Sequence, residues 1–278
     1  MKSELILEMT PTEIQDKIEE FLPVRKTEKD KFGEVFTPQP LINEMLDKLP
    51  KHMWKNPDLK WLDPANGIGN FPMIVFHRLN IGLKNVDGYK DDKKRKEHII
   101  KNMLYMVELN GKNVAISKKI FGTDANIFCS SFLDDEWYKK FGIEKYDVII
   151  GNPPWNKPQK GKRKGSYGGK ALWDKFIIKS LEKLKINGYL GFINPANWRG
   201  LGQLHNIWDI LSKKQLLYLH IYGEKDGRKI FNISSRFDLY VLQNKANTKA
   251  TEVVDELGEK HLFELQKWIF YLIMLTKK

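Results

Sequence analysis

Between residues 59 and 243, short apolar runs alternate with turns and helical stretches, and this repetition restricts the fold more than any other feature of the chain. Strands are predicted at 59–62, 103–107, 127–129, 146–150, 189–193, 216–222 and 237–243. Helices are predicted from the first turn to about Leu79 and over 112–121, 172–185 and 204–211. Strand and helix in alternation predict an α/β fold with a mostly parallel seven-stranded sheet and helices on both faces. In such folds ligands sit outside the C-terminal ends of the strands, so the residues there are the ones to search for chemistry.

The flanks differ from this core. Thr10 reads as a helix cap, with Pro11 at the first helical position, Glu13 reaching back, and Ile14, Ile18, Phe21 and Leu22 on one face. A charged stretch leads to Gly33 to Pro38, after which Leu41, Ile42, Met45, Leu46 and Leu49 have helical spacing. Beyond the last predicted strand, a polar linker precedes residues 257–275, predicted as one or two helices ending in the apolar run Trp268 to Leu275. The expected organisation is an N-terminal helical region over 1–58, an α/β domain over 59–245 and a C-terminal helical tail over 246–278.

Lys and Arg number 47 against 35 Asp and Glu, a net charge of +12 that favours polyanionic partners, nucleic acid or an anionic membrane surface. On charge alone, a Lys-rich composition bias explains the same excess. The 156–170 segment concentrates six basic residues and four glycines without an acid, the pattern of a mobile, phosphate-contacting loop in which Lys160, Lys162, Arg163 and Lys164 are the candidates. The single cysteine, Cys129, excludes a disulfide within the chain and a cysteine-based zinc site, and the six histidines lack metal-ligand spacing, so no metal is expected. The N-terminus lacks the pattern of a secretory signal, and the longest apolar run, Trp268 to Leu275, is too short to span a bilayer. A soluble cytoplasmic protein is expected.

Two turns carry the chemistry. After the first strand, Asp63-Pro64-Ala65-Asn66-Gly67-Ile68-Gly69-Asn70-Phe71 places glycines where a ligand can approach the backbone at the start of a helix. The acid is placed to take an ammonium group, and Glu108 at the tip of the next strand to accept from two ribose hydroxyls. A tight strand-to-helix turn without a ligand has the same local pattern, and a dinucleotide fits less well because the third glycine of that fingerprint is absent. After the fourth strand comes Asn152-Pro153-Pro154-Trp155. Two prolines remove two N–H donors and leave carbonyls and the Asn amide oxygen as acceptors beside an aromatic ring. An amino group on a heteroaromatic ring fits there, and an Asn-Pro turn with a surface Trp is the bland alternative.

From Gly33 to Gln243 the chain resembles the amino-group DNA methyltransferases with the gamma-class order of motifs, as found in restriction-modification systems. The resemblance implies the Rossmann-like fold of S-adenosylmethionine-dependent methyltransferases, with that molecule as cofactor. It implies that the α/β domain is catalytic and that a methyl group passes to the N6 amine of an adenine flipped out of DNA. The cofactor residues it implies are Thr37, Asp63, Ala65, Gly67, Gly69, Phe71, Glu108, Ser131, Phe132 and Asn152. Asn152, Pro153, Pro154 and Trp155 are implied as catalytic, with Phe231 on the second face of the base. One position departs from the family pattern: Ser131 stands before Phe132-Leu133 where many members place an Asp. RNA adenine or a protein glutamine amide would suit the same site, and a non-catalytic nucleic-acid-binding subunit would keep the same fold. Family members of this motif order carry a separate domain that reads the target sequence, so the apolar C-terminal end is expected either to fold back on the sheet or to dock on a second copy or a specificity subunit, unless the chain is a shortened form of a longer enzyme.

Overall fold

The computed structural model describes residues 9–10, 12–13, 16, 36–134, 137–157, 170–200 and 207–264. The Thr10 cap forms, with Glu13 Oε2 accepting from the Thr10 backbone N–H at 2.7 Å. Ile14, Ile18, Phe21 and Leu22, Gly33 to Val35, the basic residues Lys160, Lys162, Arg163 and Lys164, and Trp268 to Leu275 lie outside the described residues.

In chain order the main elements are α1 (Gln39–Asp47), β1 (Trp61–Asp63), α2 (Asn70–Leu83), α3 (Asp92–His98), β2 (Leu104–Glu108), α4 (Gly111–Phe121), β3 (Asn126–Cys129), α5 (Trp137–Phe141) and β4 (Tyr146–Gly151). They continue with α6 (Trp173–Lys183), β5 (Leu184–Pro195), α7 (Ile207–Ser212), β6 (Lys214–Tyr222), α8 (Glu224–Phe231), β7 (Phe237–Ala246), β8 (Thr251–Val254) and β9 (Lys260–Phe263). Among the described residues one sheet holds nine strands, in the order β3-β2-β1-β4-β5-β7-β6-β8-β9. Only β7 and β9 run against the others. Because β2 and β4 flank β1 on opposite sides, the chain reverses its direction of winding at β1, and sheets of this kind hold ligands in a crevice at the C-terminal strand ends beside such a reversal.

Strand alternation divides the core in two. Trp61, Val148, Ile150 and Leu239 face α1 and α2 on one side, while Leu62, Ile149 and Tyr240 face Trp137, Phe176, Ile177 and Trp208 on the other, and a register shift in β4 brings Tyr146 to this second side as well. Every residue of β1 and β2 is buried, as expected of central parallel strands covered on both faces.

The sheet has two more strands than predicted, and the difference lies where helix was expected. Residues 251–263 form a hairpin that adds β8 to β6 and β9 to β8, so the sheet continues past the expected domain boundary at 245. The reason is local. Thr-Glu-Val-Val at 251–254 favours extended backbone. Asp255 then closes the turn, its Oδ1 accepting from the N–H groups of Leu257 and Glu259 at 2.9 Å each, and Gly258 takes a φ of 82°.

Close approach is also set by glycine. A Cβ on Gly82 in α2 would lie 2.1 Å from the Trp54 carbonyl oxygen. Helix propensity favours Gly82→Ala by about 1 kcal/mol, whereas overpacking against backbone costs typically ~1–3 kcal/mol. The packing effect is expected to win, so urea unfolding of Gly82→Ala should show a lower midpoint. A higher midpoint would mean that α2 and the Trp54 segment are not in contact.

Candidate active site

The first half of the site is built by β1, β2 and the turn into α2. Asp63 ends β1 and is only 3% exposed. Its Oδ1 accepts from the Ala65 N–H at 3.0 Å. On the neighbouring strand, Gly151 is packed so closely that a Cβ there would come within 2.9 Å of the same oxygen. The turn is then tied to β2. The Asn66 N–H donates to the Val107 carbonyl at 3.0 Å, the Gly67 N–H to Glu108 Oε2 at 2.7 Å, and the Asn110 N–H to Glu108 Oε1 at 2.7 Å. Gly67 and Gly69 have φ of 58° and 106°, which an L side chain rarely adopts. A Cβ on Gly67 would meet nothing within 4 Å, so the backbone is open to a ligand there.

Two carboxyl groups therefore share a partly desolvated crevice. Burial pushes the Asp63 carboxyl up to about 8, against the Ala65 hydrogen bond, and the charge of Glu108 adds to the rise. An acid so placed is neutral at pH 7 and ionises when a cation arrives beside it.

The second half is the turn after β4. Asn152 is half-buried. Its Nδ2 donates to Thr37 Oγ1 at 3.2 Å, and its Oδ1 accepts from Trp155 Nε1 at 3.3 Å. Pro153 is buried, and Pro154 and Trp155 are partly exposed. The Trp155 carbonyl accepts from the Leu172 N–H at 2.9 Å, and the Lys157 N–H donates to the Lys170 carbonyl at 3.0 Å. Both ends of the basic 157–170 segment are thus fastened next to Trp155. Phe231, at the end of α8 and 2% exposed, meets Trp155 edge-on, with centroids 6.2 Å apart at 79°.

The structure thus brings together Thr37, Asn152, Trp155 and Phe231, and separately Asp63, Gly67 and Glu108, at adjoining strand ends. The remaining candidates are less open. Phe71 is buried in the core on the α1 and α2 face, and Phe132 in the aromatic cluster with Trp137 and Phe176. The Ser131 hydroxyl accepts from the Leu133 N–H at 3.2 Å and caps its own turn.

Two clusters escaped the sequence reading. Glu44 on α1 accepts from the hydroxyls of Tyr218 at 2.9 Å and Tyr222 at 2.6 Å and lies 2.6 Å from His220 Nδ1. Burial works against its charge, but hydrogen bonds from His220 and Tyr222 hold the Glu44 carboxyl below its ordinary range. Tyr222 stacks on Phe237, whose ring contacts Phe231 and Trp155. The alternation Tyr-Leu-His-Ile-Tyr at 218–222 is the signal for a one-faced polar set. Arg199 and Asp238 form the second cluster, a buried two-point pair at 2.8 and 3.2 Å. Among the described residues, no helix is long and apolar enough to cross a membrane.

The model of the Eco57I restriction-modification methylase family matches residues 41–231, which hold both carboxyls, the Asn152 motif and Phe231. The chain belongs to that family. Among curated relatives, a Mycoplasma pneumoniae protein named an uncharacterized adenine-specific methylase is 28% identical over 59% of this chain and 55% of its own length. The type II methyltransferase M.VspI of Vibrio sp. (strain 343) is 30% identical over 78% of this chain and 50% of its own. The chain therefore spans about half the length of the curated relatives it matches. A Listeria monocytogenes structure described as a class I S-adenosylmethionine-dependent methyltransferase superposes with a TM-score of 0.60 at 14% identity, covering 90% of this chain and 74% of that one, a likeness of fold. The methyltransferase fold expected from the sequence is thus the one observed, with nine strands in place of seven.

The state of Asp63 in this Eco57I-family crevice has a measurable consequence. In the folded chain the carboxyl keeps its proton to about pH 8, whereas an exposed one loses it near about 3.9. Between these values the native state binds more protons than the unfolded state, so stability falls as pH rises, by at most ~1.4 kcal/mol per pH unit for one proton. Asp63→Asn cannot ionise and is expected to flatten this dependence in urea unfolding from pH 5 to 8, and to be at least as stable as the parent near pH 8. An unchanged slope would show that Asp63 is not held neutral.

Proposed function

We propose that this chain transfers a methyl group from S-adenosylmethionine to the N6 amine of adenine in DNA, by direct displacement after the base is flipped from the duplex. One observation carries the reading: the acceptor oxygen of Asn152 and the ring of Trp155 stand at the end of β4, while the buried Asp63 stands at the end of the adjoining β1.

The crevice fits the cofactor on its own chemistry. Among the described residues, Asp63 has no Lys or Arg partner, so the ammonium of an amino acid would supply the cation that its burial lacks. Glu108, which accepts from the Gly67 and Asn110 N–H groups, would also meet the ribose hydroxyls of the ligand. Ala65, Gly67 and Gly69 would line the ligand, with Thr37 at its methionine end and Ser131 near its adenine. When bound, S-adenosylmethionine supplies an electrophilic methyl group on a sulfonium that leaves as a neutral thioether.

The chain's own residues then have to place a weak nucleophile. Asn152 Oδ1 and the Pro153 carbonyl would accept from the two amine hydrogens, which draws the nitrogen lone pair out of the ring, and the methylated amine would release one proton to solvent. Trp155 would stack on one face of the base and Phe231 on the other, and the edge-on contact between these rings must open to admit it. Positioning supplies most of the rate, since the leaving group is already good. Lys160, Lys162, Arg163 and Lys164 would meet phosphates from a segment fastened beside Trp155. A second copy, a specificity subunit or a further part of a longer protein would read the target sequence. A DNA substrate also argues for a cytoplasmic enzyme.

Labelled methyl transfer tests the reading, with DNA in excess so that weak site preference does not limit the rate. The expected product is N6-methyladenine in duplex DNA, with RNA and protein unlabelled. Asn152→Ala should bind the cofactor with little change by calorimetry and lose on the order of 100-fold or more in rate, as for removal of a preorganised polar contact. Wild-type turnover in Asn152→Ala would contradict the mechanism, and label found only in RNA or in glutamine would contradict the substrate.

A further inference from the structure

An asparagine amide has one accepting and one donating end of nearly the same shape, and only the accepting end can hold an amine hydrogen. Something must therefore decide which end of Asn152 faces the substrate. One contact in the structure decides it, and a second, to a hydroxyl that can adapt to either end, holds the result. The Trp155 indole N–H is a donor and nothing else, and it lies 3.3 Å from the Asn152 amide, so the atom facing it has to be Oδ1. Nδ2 is thereby turned to the Thr37 hydroxyl at 3.2 Å, which accepts. Oδ1 retains a second lone pair, because the indole uses one.

Thr37 is built to stay in place. It is 4% exposed, and Pro38 restricts it to extended backbone before α1 begins. Its carbonyl accepts from Asn70 Nδ2 at 3.5 Å, which links it to the first turn of α2. The cost of reversing the amide is direct: Oδ1 would leave the indole N–H facing an NH₂ group, two donors without an acceptor.

We propose that Thr37 and the indole N–H of Trp155 form a positioning device that locks the Asn152 amide with its oxygen toward the substrate amine. Thr37 is then a positioning residue for methyl transfer as well as a neighbour of the cofactor, and Trp155 does more than stack, since a phenyl ring could stack but not orient Asn152. The inference rests on the proposed role of Asn152 as the acceptor of the amine.

Three variants of the full chain test it: Thr37→Val, nearly isosteric without an acceptor; Thr37→Ser, which keeps the hydroxyl; and Trp155→Phe, which keeps a ring without the N–H. The first readout needs no turnover. In ¹H–¹⁵N spectra, the Trp155 indole signal, identified by its loss in Trp155→Phe, is expected to shift and to exchange faster with water in Thr37→Val and to remain near its parental position in Thr37→Ser. The second readout is kinetic, at saturating cofactor. Thr37→Val and Trp155→Phe should each lower kcat by on the order of tenfold to a hundredfold, as misplacement of a reacting group does, and Thr37→Ser should restore it. The effects of Thr37→Val and Trp155→Phe combined should be far from additive.

An indole signal indifferent to Thr37→Val would overturn the device. So would a Thr37→Val variant that loses cofactor affinity at unchanged kcat, since Thr37 would then be a cofactor contact only. If the parent chain transfers no methyl group while the indole signal responds as expected, the lock stands and the reading of the substrate fails.

Discussion

A carboxyl group at the C-terminal end of β1 has to fit between two backbones in a region that water scarcely reaches, and the rest of the site is arranged around that constraint. Gly151 has no room for a side chain because Asp63 Oδ1 occupies the space a Cβ would take. The turn from Ala65 to Gly69 supplies the N–H that holds Asp63 and the N–H that holds Glu108, so the two acids are positioned by one stretch of backbone. The arrangement is costly for the folded chain without a ligand, because a buried acid beside a second acid resists ionisation. Under the proposed function that cost is offset when the ammonium of the cofactor arrives beside Asp63.

Around this centre the aromatic residues form a support of a different kind. Trp155 packs against the cores on both faces of the sheet. Its position passes through Phe237 to Tyr222, whose ring lies nearly parallel to that of Phe237 at 4.5 Å, and then to Glu44 on α1. The helix that follows Thr37 is thus coupled to the aromatic ring beside Asn152 by two routes, one polar through Thr37 and one aromatic through β6 and β7. On the opposite face, the Arg199 and Asp238 pair fixes the start of β7, whose first residue is Phe237. Burial raises the Asp238 carboxyl and the charge of Arg199 opposes the rise, so loss of Arg199 alone would leave a buried acid without its compensating charge.

The sequence revealed the central part of this architecture because β1 to β7 and the helices α2, α4, α6 and α7 carry apolar patterns bounded by turns, whereas α3, α5 and α8 were not predicted, α3 having no apolar residue at all. The two turns were legible for a different reason: Gly67 and Gly69 permit the positive φ that the first turn takes, and the two prolines restrict the backbone after β4. The hairpin at 251–263 was not, since Val253, Val254, Leu262 and Phe263 are runs too short for periodicity to separate strand from helix. Nor were the contacts that depend on distant partners. Nothing local to Glu44 announces Tyr218, His220 and Tyr222 some 174 to 178 residues later, and nothing near Gly82 announces the Trp54 carbonyl. The Thr37 contact to Asn152 spans 115 residues and joins two motifs that sequence treats separately.

Under the proposed function, Asp63 is a neutral buried acid that ionises to hold the ammonium of the cofactor. Calorimetric titration with S-adenosylmethionine at pH 7, in buffers of different ionisation enthalpy, measures the protons exchanged on binding. With Asp63 at about 8 in the free chain, binding should release close to one proton, and Asp63→Asn should release none. Binding by the parent chain without proton release would contradict the account.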